Sequence, residues 1–157
     1  EEKLVNMRDV IDRFKPHRVA IDSLSALERV STQKSFREFV LAITSHLKQM
    51  ETTGMMTSTA PTLLGGESVT EAHISTLTDS IILLRYVEIF GEMRRALTVL
   101  KMRGAQHDKN IREFTIDRQG MQIGSPFKSV GGILAGNPTQ LESAEITRLG
   151  GMFEEDE

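Results

Sequence analysis

The sequence predicts an α/β fold in which parallel strands with crossover helices are followed by antiparallel hairpin strands. Three observations carry this reading: a helix, strand, helix, strand alternation over residues 1 to 61, two long apolar strands at 80 to 102 broken at Gly91, and an alternating segment at 111 to 117.

The elements follow in order. Leu4, Met7, Val10, Ile11 and Phe14 recur at helical spacing and stop before Pro16, so the first element is an amphipathic helix with this face inward. "RVAIDSL" (18 to 24) is a short apolar run closed by Asp22 and hydroxyls, the profile of a buried parallel strand whose carboxyl end meets a site. Phe36, Phe39, Val40, Ile43, Leu47 and Met50 mark a second helix stopped by Gly54, and "GMMTSTAP" supplies the second strand. "SIILLRYVEIF" and "MRRALTVLKM" are then joined by a tight turn at Gly91 and Glu92, since glycine accepts the positive φ such turns require. In "IREFTID", Phe114 and Ile116 alternate with polar residues until Gly120 ends the strand. "IGSPFKSVGGILAGNPTQL" has no lasting period and reads as loop. Residues 1–124 are therefore taken as one domain portion, and 125–157 as a Gly/Pro-rich loop with a short acidic tail, a loop to which the family resemblance given below assigns a regulatory part.

Composition narrows the function. The 157 residues are 39% hydrophobic and 26% charged, as in an ordinary globular domain. No apolar run reaches the roughly 20 residues that span a bilayer, and "EEKLVNMRDV" lacks a signal-peptide profile, so a cytoplasmic protein with no membrane association is expected. The absence of Cys removes disulfides, thiolate metal sites and cysteine nucleophiles. A net charge of −3 argues against a dedicated nucleic-acid binder. The charge is unevenly spread: Arg85 to Arg118 holds eight Lys/Arg against five Asp/Glu, whereas from Gln140 onward one Arg faces six acids.

Three motifs carry chemistry. "VAID" has the form of a Walker B strand, whose terminal carboxylate orients a water on nucleotide-bound Mg²⁺. From the residues alone the first reading of Asp22 is a cap on the next turn, and no G-x-x-x-x-G-K-[ST] phosphate loop accompanies it in these residues. "HISTLTDSI" gathers Ser75, Thr76, Thr78 and Ser80. Thr76 to Asp79 spells T-x-x-D, which fits a helix cap, yet with Thr70 the hydroxyls outnumber what one cap uses, which fits phosphate acceptors. "KMRGAQHDK" places Lys101, Arg103, His107 and Lys109 at a strand end, either as a solvated loop or as cations converging on one anion.

"HRVAIDSLSAL", "EAHISTLTDSIILLRYVEIFGEMRRA", "LKMRGAQHDKNIREF" and "AGNPTQ" together resemble the later half of the second RecA-like ATPase domain of the KaiC family of circadian clock proteins, over roughly residues 16 to 139 in one order. The resemblance implies the C-terminal half of a RecA-like P-loop NTPase core, in a homo-oligomer that is a hexameric ring with ATP and Mg²⁺ between subunits. It implies an ATP-dependent Ser/Thr autokinase, autophosphatase and ATPase of a circadian-clock or clock-like system, with Ser75 and Thr76 as phosphoacceptors. Asp22 falls on the Walker B aspartate that holds Mg²⁺ through water. Arg95, Lys101, Met102, Arg103, His107 and Lys109 fall on the residues that contact nucleotide across the subunit interface, and Thr70 with Glu71 on a regulatory pair beside the acceptors.

The sequence departs from the family pattern in places. Glu71 stands where the family has Asp, and Ala105-Gln106 replaces Ser-Trp. The tail is shorter than the one an activating clock partner grips, so that partner is not transferred. The family's phosphate loop and catalytic glutamates precede the Walker B strand, so the resemblance places them ahead of Glu1, and these residues alone are not expected to hydrolyse ATP. Two readings from other classes stand beside the kinase: a non-enzymatic oligomerisation or regulatory module, and a RecA-like nucleic-acid ATPase, which the scarcity of aromatic stacking platforms disfavours.

Overall fold

The computed structural model describes residues 2–59, 76–89, 91–128, 130–133 and 139–140. The chain divides into two compact units, Glu1–Ala60 with Val69–Thr78, and Pro61–Ser68 with Asp79–Glu157. They are described separately.

In the first unit, α1 (Glu2–Phe14), β1 (Arg18–Ile21), α2 (Leu24–Glu28), α3 (Gln33–Gln49) and β2 (Thr53–Met56) follow one another. β1 and β2 pair in parallel, Arg18 opposite Thr53 through Ile21 opposite Met56, as the crossover connection requires. Only part of the expected apolar stripe of α1 is buried. Ile11 is enclosed against Ile43 and Leu47, with Leu4 and Met7 alongside. Val10 and Phe14 instead face outward, at 54% and 80% exposure. Positions 4, 7 and 11 share one helical face and 10 lies about 100° around from Ile11, whereas Phe14, about 20° from Met7 on the wheel, is the last residue of the helix.

α3 presents Phe36, Val40, Ile43 and Leu47 inward, and Thr32 caps its start by accepting the Ser35 N–H at 3.2 Å. The helix ends at Gln49, not at Gly54. Glu51 adopts φ +52°, and the Thr52 N–H turns back to the Leu47 carbonyl at 2.9 Å, so the stop comes from a left-handed residue that composition does not mark. β1 is also shorter than "RVAIDSL", because Leu24 already opens α2.

In the second unit β3 (Ser80–Ile89), β4 (Glu92–Met102), β5 (Arg112–Asp117) and β6 (Gly120–Pro126) form one antiparallel sheet in sequence order. The hairpin is present, but its register pairs Ile89 with Glu92, so the turn lies one residue earlier than expected, with Gly91 at φ +77°. Gly120 ends no sheet region. At φ +108° it opens β6, which pairs Met121 with Ile116 and continues into the stretch read as loop, where Ile123 meets Phe114. A further short pair, β7 (Val130–Gly131) and β8 (Thr139–Gln140), lies in the same Gly-rich region.

One sheet face buries Val87, Ile89 and Ala96 against Ile133, with Ile111, Phe127 and Val130 around them. The other leaves Ile82, Leu84, Tyr86 and Met93 exposed. Among the described residues the parallel pair and the antiparallel strands form separate ladders, in the expected order of parallel strands with a crossover helix followed by antiparallel hairpin strands.

Candidate functional site

The carboxyl ends of β1 and β2 converge because the strands are parallel and in register. This end of an open α/β sheet is where ligands bind. Beyond the last ladder pair the backbone stays locked: the Thr57 N–H donates to the Ile21 carbonyl at 3.0 Å, and the Leu24 N–H donates to the Thr57 carbonyl at 2.8 Å. Asp22 and Thr57 therefore stand side by side, and the Thr57 hydroxyl donates to Asp22 Oδ1 at 2.5 Å. The peptide between Asp22 and Ser23 is cis.

A hydroxyl hub sits next to this pair. Ser25 is buried at 6% exposure, and its Oγ accepts both the Thr59 N–H at 2.8 Å and the Thr59 hydroxyl at 2.9 Å, with Ser58 Oγ at 3.2 Å. Sequence reasoning missed Thr57, Ser25 and Thr59. The signal lay in "TST" directly after a strand, hydroxyls aligned by parallel register with those after Asp22.

Of the expected phosphoacceptors, Thr76 is described and exposed. Its neighbour Leu77 packs against Leu24, Phe36 and Val40, in a cluster that also takes in Ile21 and Met56. Leu77 thus anchors its described neighbour Thr76 near the strand ends that carry Asp22. No α-helix follows Thr76: Ser80 opens β3, so the T-x-x-D pattern has no helix to cap. Ser75, Thr70 and Glu71 lie outside the described residues.

The cationic residues all belong to the second unit, on β4 and the loop after it. Arg95 lies over the Tyr86 ring at 5.7 Å from its centroid. Lys101 pairs with Ile81 in the ladder and Met102 with Ser80. Arg103 lies past the strand end, its guanidinium 3.4 Å from the Asp79 carboxylate and its N–H donating to the Asp79 carbonyl at 2.7 Å.

His107 is half-buried and Lys109 exposed on a loop shaped by Asp108 between them. Asp108 accepts the Asn110 N–H at 2.9 Å and side-chain amide at 2.7 Å, and Arg112 Nε at 2.6 Å. These bonds, the Asn110 backbone one first and Arg112 next, hold the Asp108 carboxyl down at about 2.

The described residues contain no cluster of three His, Asp or Glu that could cage a bare cation. A single exposed carboxylate at a strand end instead fits Mg²⁺, which keeps its waters and is bound through one or two carboxylates plus substrate phosphates. No helix of the described residues is long and apolar enough to cross a membrane.

Comparison with known proteins shows the family. A family model described as ATPase: KaiC matches residues 1–128. The chain is 65% identical over 155 residues to the circadian clock protein KaiC3 of Synechocystis sp., covering 99% of this chain and 31% of that relative. It is 48% identical over 152 residues to the circadian clock oscillator protein KaiC of Picosynechococcus sp., covering 95% and 30%. Against the circadian clock oscillator protein KaiC of Thermostichus vulcanus it is 50% identical over 149 residues, covering 95% and 29%. The chain spans less than a third of the length of these curated relatives.

Proposed function

This chain belongs to the KaiC family of ATPases, and from that premise we propose that it is the Walker B and phosphoacceptor portion of an ATP-dependent Ser/Thr autokinase, autophosphatase and ATPase of a clock-like system. The reading assigns Ser75 and Thr76 as acceptors. In the forward step a phosphoryl group passes from ATP to a side-chain oxygen, leaving phosphoserine or phosphothreonine, ADP and a proton. The reading takes a homo-hexamer as the assembly and cytoplasm as the compartment.

The observation that carries it is the anchoring of Leu77. It fixes the acceptor segment on the same apolar cluster as Ile21 and Leu24, leaving Thr76 exposed beside the strand ends with no helix to cap. Each residue then has a part. Asp22 holds Mg²⁺ through water. The ion, when bound, neutralises phosphate charge. Lys101, Arg103, His107 and Lys109, with Arg95 and Met102, face the nucleotide of a neighbouring subunit. A cation supplied in trans to a transferring phosphoryl group accelerates related reactions by on the order of 10³ to 10⁵. Thr70 and Glu71 sense the charge of about −1.5 to −2 that phosphorylation adds.

Mass spectrometry of the full-length protein incubated with Mg-ATP, beside its Ser75→Ala and Thr76→Ala variants, tests this. Phosphate on Ser75 or Thr76 that disappears from the matching variant is the expected result. Consumption of ATP with both residues unmodified would overturn the acceptor assignment and leave an ATPase without the phosphorylation switch.

A further inference from the structure

We propose that Thr57 is a positioning residue for Asp22, setting the carboxylate that meets nucleotide-bound Mg²⁺. The inference rests on the reading of Asp22 as the metal-facing carboxylate, and adds to it a residue from a different strand.

Three observations on the structure support it. First, Thr57 is not free to wander, because its N–H is held by Ile21 and its carbonyl by Leu24. Its side chain is therefore presented from a fixed backbone, the condition under which an outer group can orient an inner one. Second, at 2.5 Å the hydroxyl-to-carboxylate contact is as short as charge-assisted O–H···O⁻ bonds become. It engages Oδ1 alone, and among the described residues Oδ2 carries no hydrogen bond. Thr57 thus takes one oxygen, restricts rotation of the carboxylate, and leaves the other as an acceptor. Third, both residues are exposed, so the bond is not needed to satisfy a buried polar group. Core stability does not require it.

The division of labour follows. Asp22 on a short exposed strand end has two rotatable side-chain bonds, and water competes for both oxygens. A partner fixed across the parallel ladder reduces that freedom without blocking the metal-facing oxygen. Partners of this outer kind typically affect metal affinity by 10- to 100-fold.

The test uses full-length protein and a fluorescent ATP analogue, mant-ATP, titrated with Mg²⁺ and also bound without metal. Thr57→Val, which keeps shape and removes the hydroxyl, is expected to raise the half-saturating Mg²⁺ concentration about 10-fold, with metal-free mant-ATP binding unchanged. Thr57→Ser, which keeps the hydroxyl, should restore the original value. Asp22→Asn is measured in parallel.

If Asp22→Asn shifts the Mg²⁺ dependence and Thr57→Val does not, the Thr57 inference is overturned while the Asp22 reading stands. If neither shifts it, both are overturned. If Thr57→Val weakens metal-free binding equally, the role is structural and the inference again falls. Thr57→Ala serves as the second hydroxyl-free variant should the valine impair folding.

Discussion

Arg103 meets Asp79 twice, once through its backbone N–H to the Asp79 carbonyl at 2.7 Å and once through its guanidinium, 3.4 Å from the carboxylate. The first bond extends the β3/β4 ladder one step past Ser80 and Met102, so the start of β3 and the cationic end of β4 are tied together. Only the second bond depends on side chains. Each is 56% exposed, so solvent screens the ion pair and its contribution stays below about 1 kcal/mol.

A double-mutant cycle of Asp79→Ala and Arg103→Ala in urea unfolding is therefore expected to give a coupling under about 1 kcal/mol. A coupling above about 2 kcal/mol would show the pair to be far better shielded than its exposure indicates.

The Asp108 clamp gives a pH prediction. Its carboxyl titrates at about 2 in the folded protein against an ordinary value of 3.8, because Asn110 and Arg112 bond the ionised form. A depressed folded value means the clamp contributes fully above the unfolded value and is lost as pH falls through about 2. NMR titration of the Asp108 side-chain carboxyl should show a midpoint near 2, moving upward but only part of the way in Arg112→Ala, since the Asn110 backbone bond remains. A midpoint at 3.8 in the unaltered protein would remove the clamp from the loop that carries His107 and Lys109.

Ser25 offers a stability prediction beside the candidate site. Ser25→Ala deletes the acceptor of two Thr59 hydrogen bonds and leaves a backbone N–H without its partner. The expected cost is about 1 to 3 kcal/mol in urea unfolding, with hydrogen exchange at the Thr59 amide accelerated more than at Val40 in the middle of α3. Unaltered exchange at Thr59 would mean that the hub does not hold the end of β2.

Gly54 is a packing prediction. A Cβ there would lie 2.8 Å from Leu47 Cδ1, a side chain only 2% exposed. Gly54→Ala is expected to cost about 1 to 3 kcal/mol by overpacking β2 against α3. Combined with Leu47→Ala it should cost less than the sum of the two, because the added methyl occupies part of the vacated space. Strict additivity in thermal or chemical unfolding would show that β2 moves away from the helix instead.

Much of the fold was legible because periodicity reports burial directly. The α3 stripe from Phe36 to Leu47, the parallel order of β1 and β2, and the hairpin around Gly91 all follow from spacing and from the one residue that accepts positive φ without strain. Where the reading slipped, the deciding contact was distant in sequence or local composition misled. Val10 belongs to an apolar list but not to the face that α3 covers, and Phe14, the last residue of α1, is left exposed. Glu51 ends α3 in a left-handed conformation no glycine marks, and the strand opened by Gly120 runs on from Ile123 to Pro126 in the stretch whose Gly and Pro content reads as loop.

Helical and strand periods are written in residue spacing, so the α/β class was legible there, and the family was legible in its motifs; the attention to Asp22, Ser75, Thr76 and the cations from Arg95 to Lys109 comes from that resemblance. Folding alone brings the Thr57 hydroxyl to Asp22, 35 residues away, packs Leu77 on the cluster of Leu24, Phe36 and Val40, and sets Asp79 against Arg103. Those relationships depend on parallel register, a shared apolar cluster and the last step of an antiparallel ladder, and pairings across strands exist only once the strands have found each other.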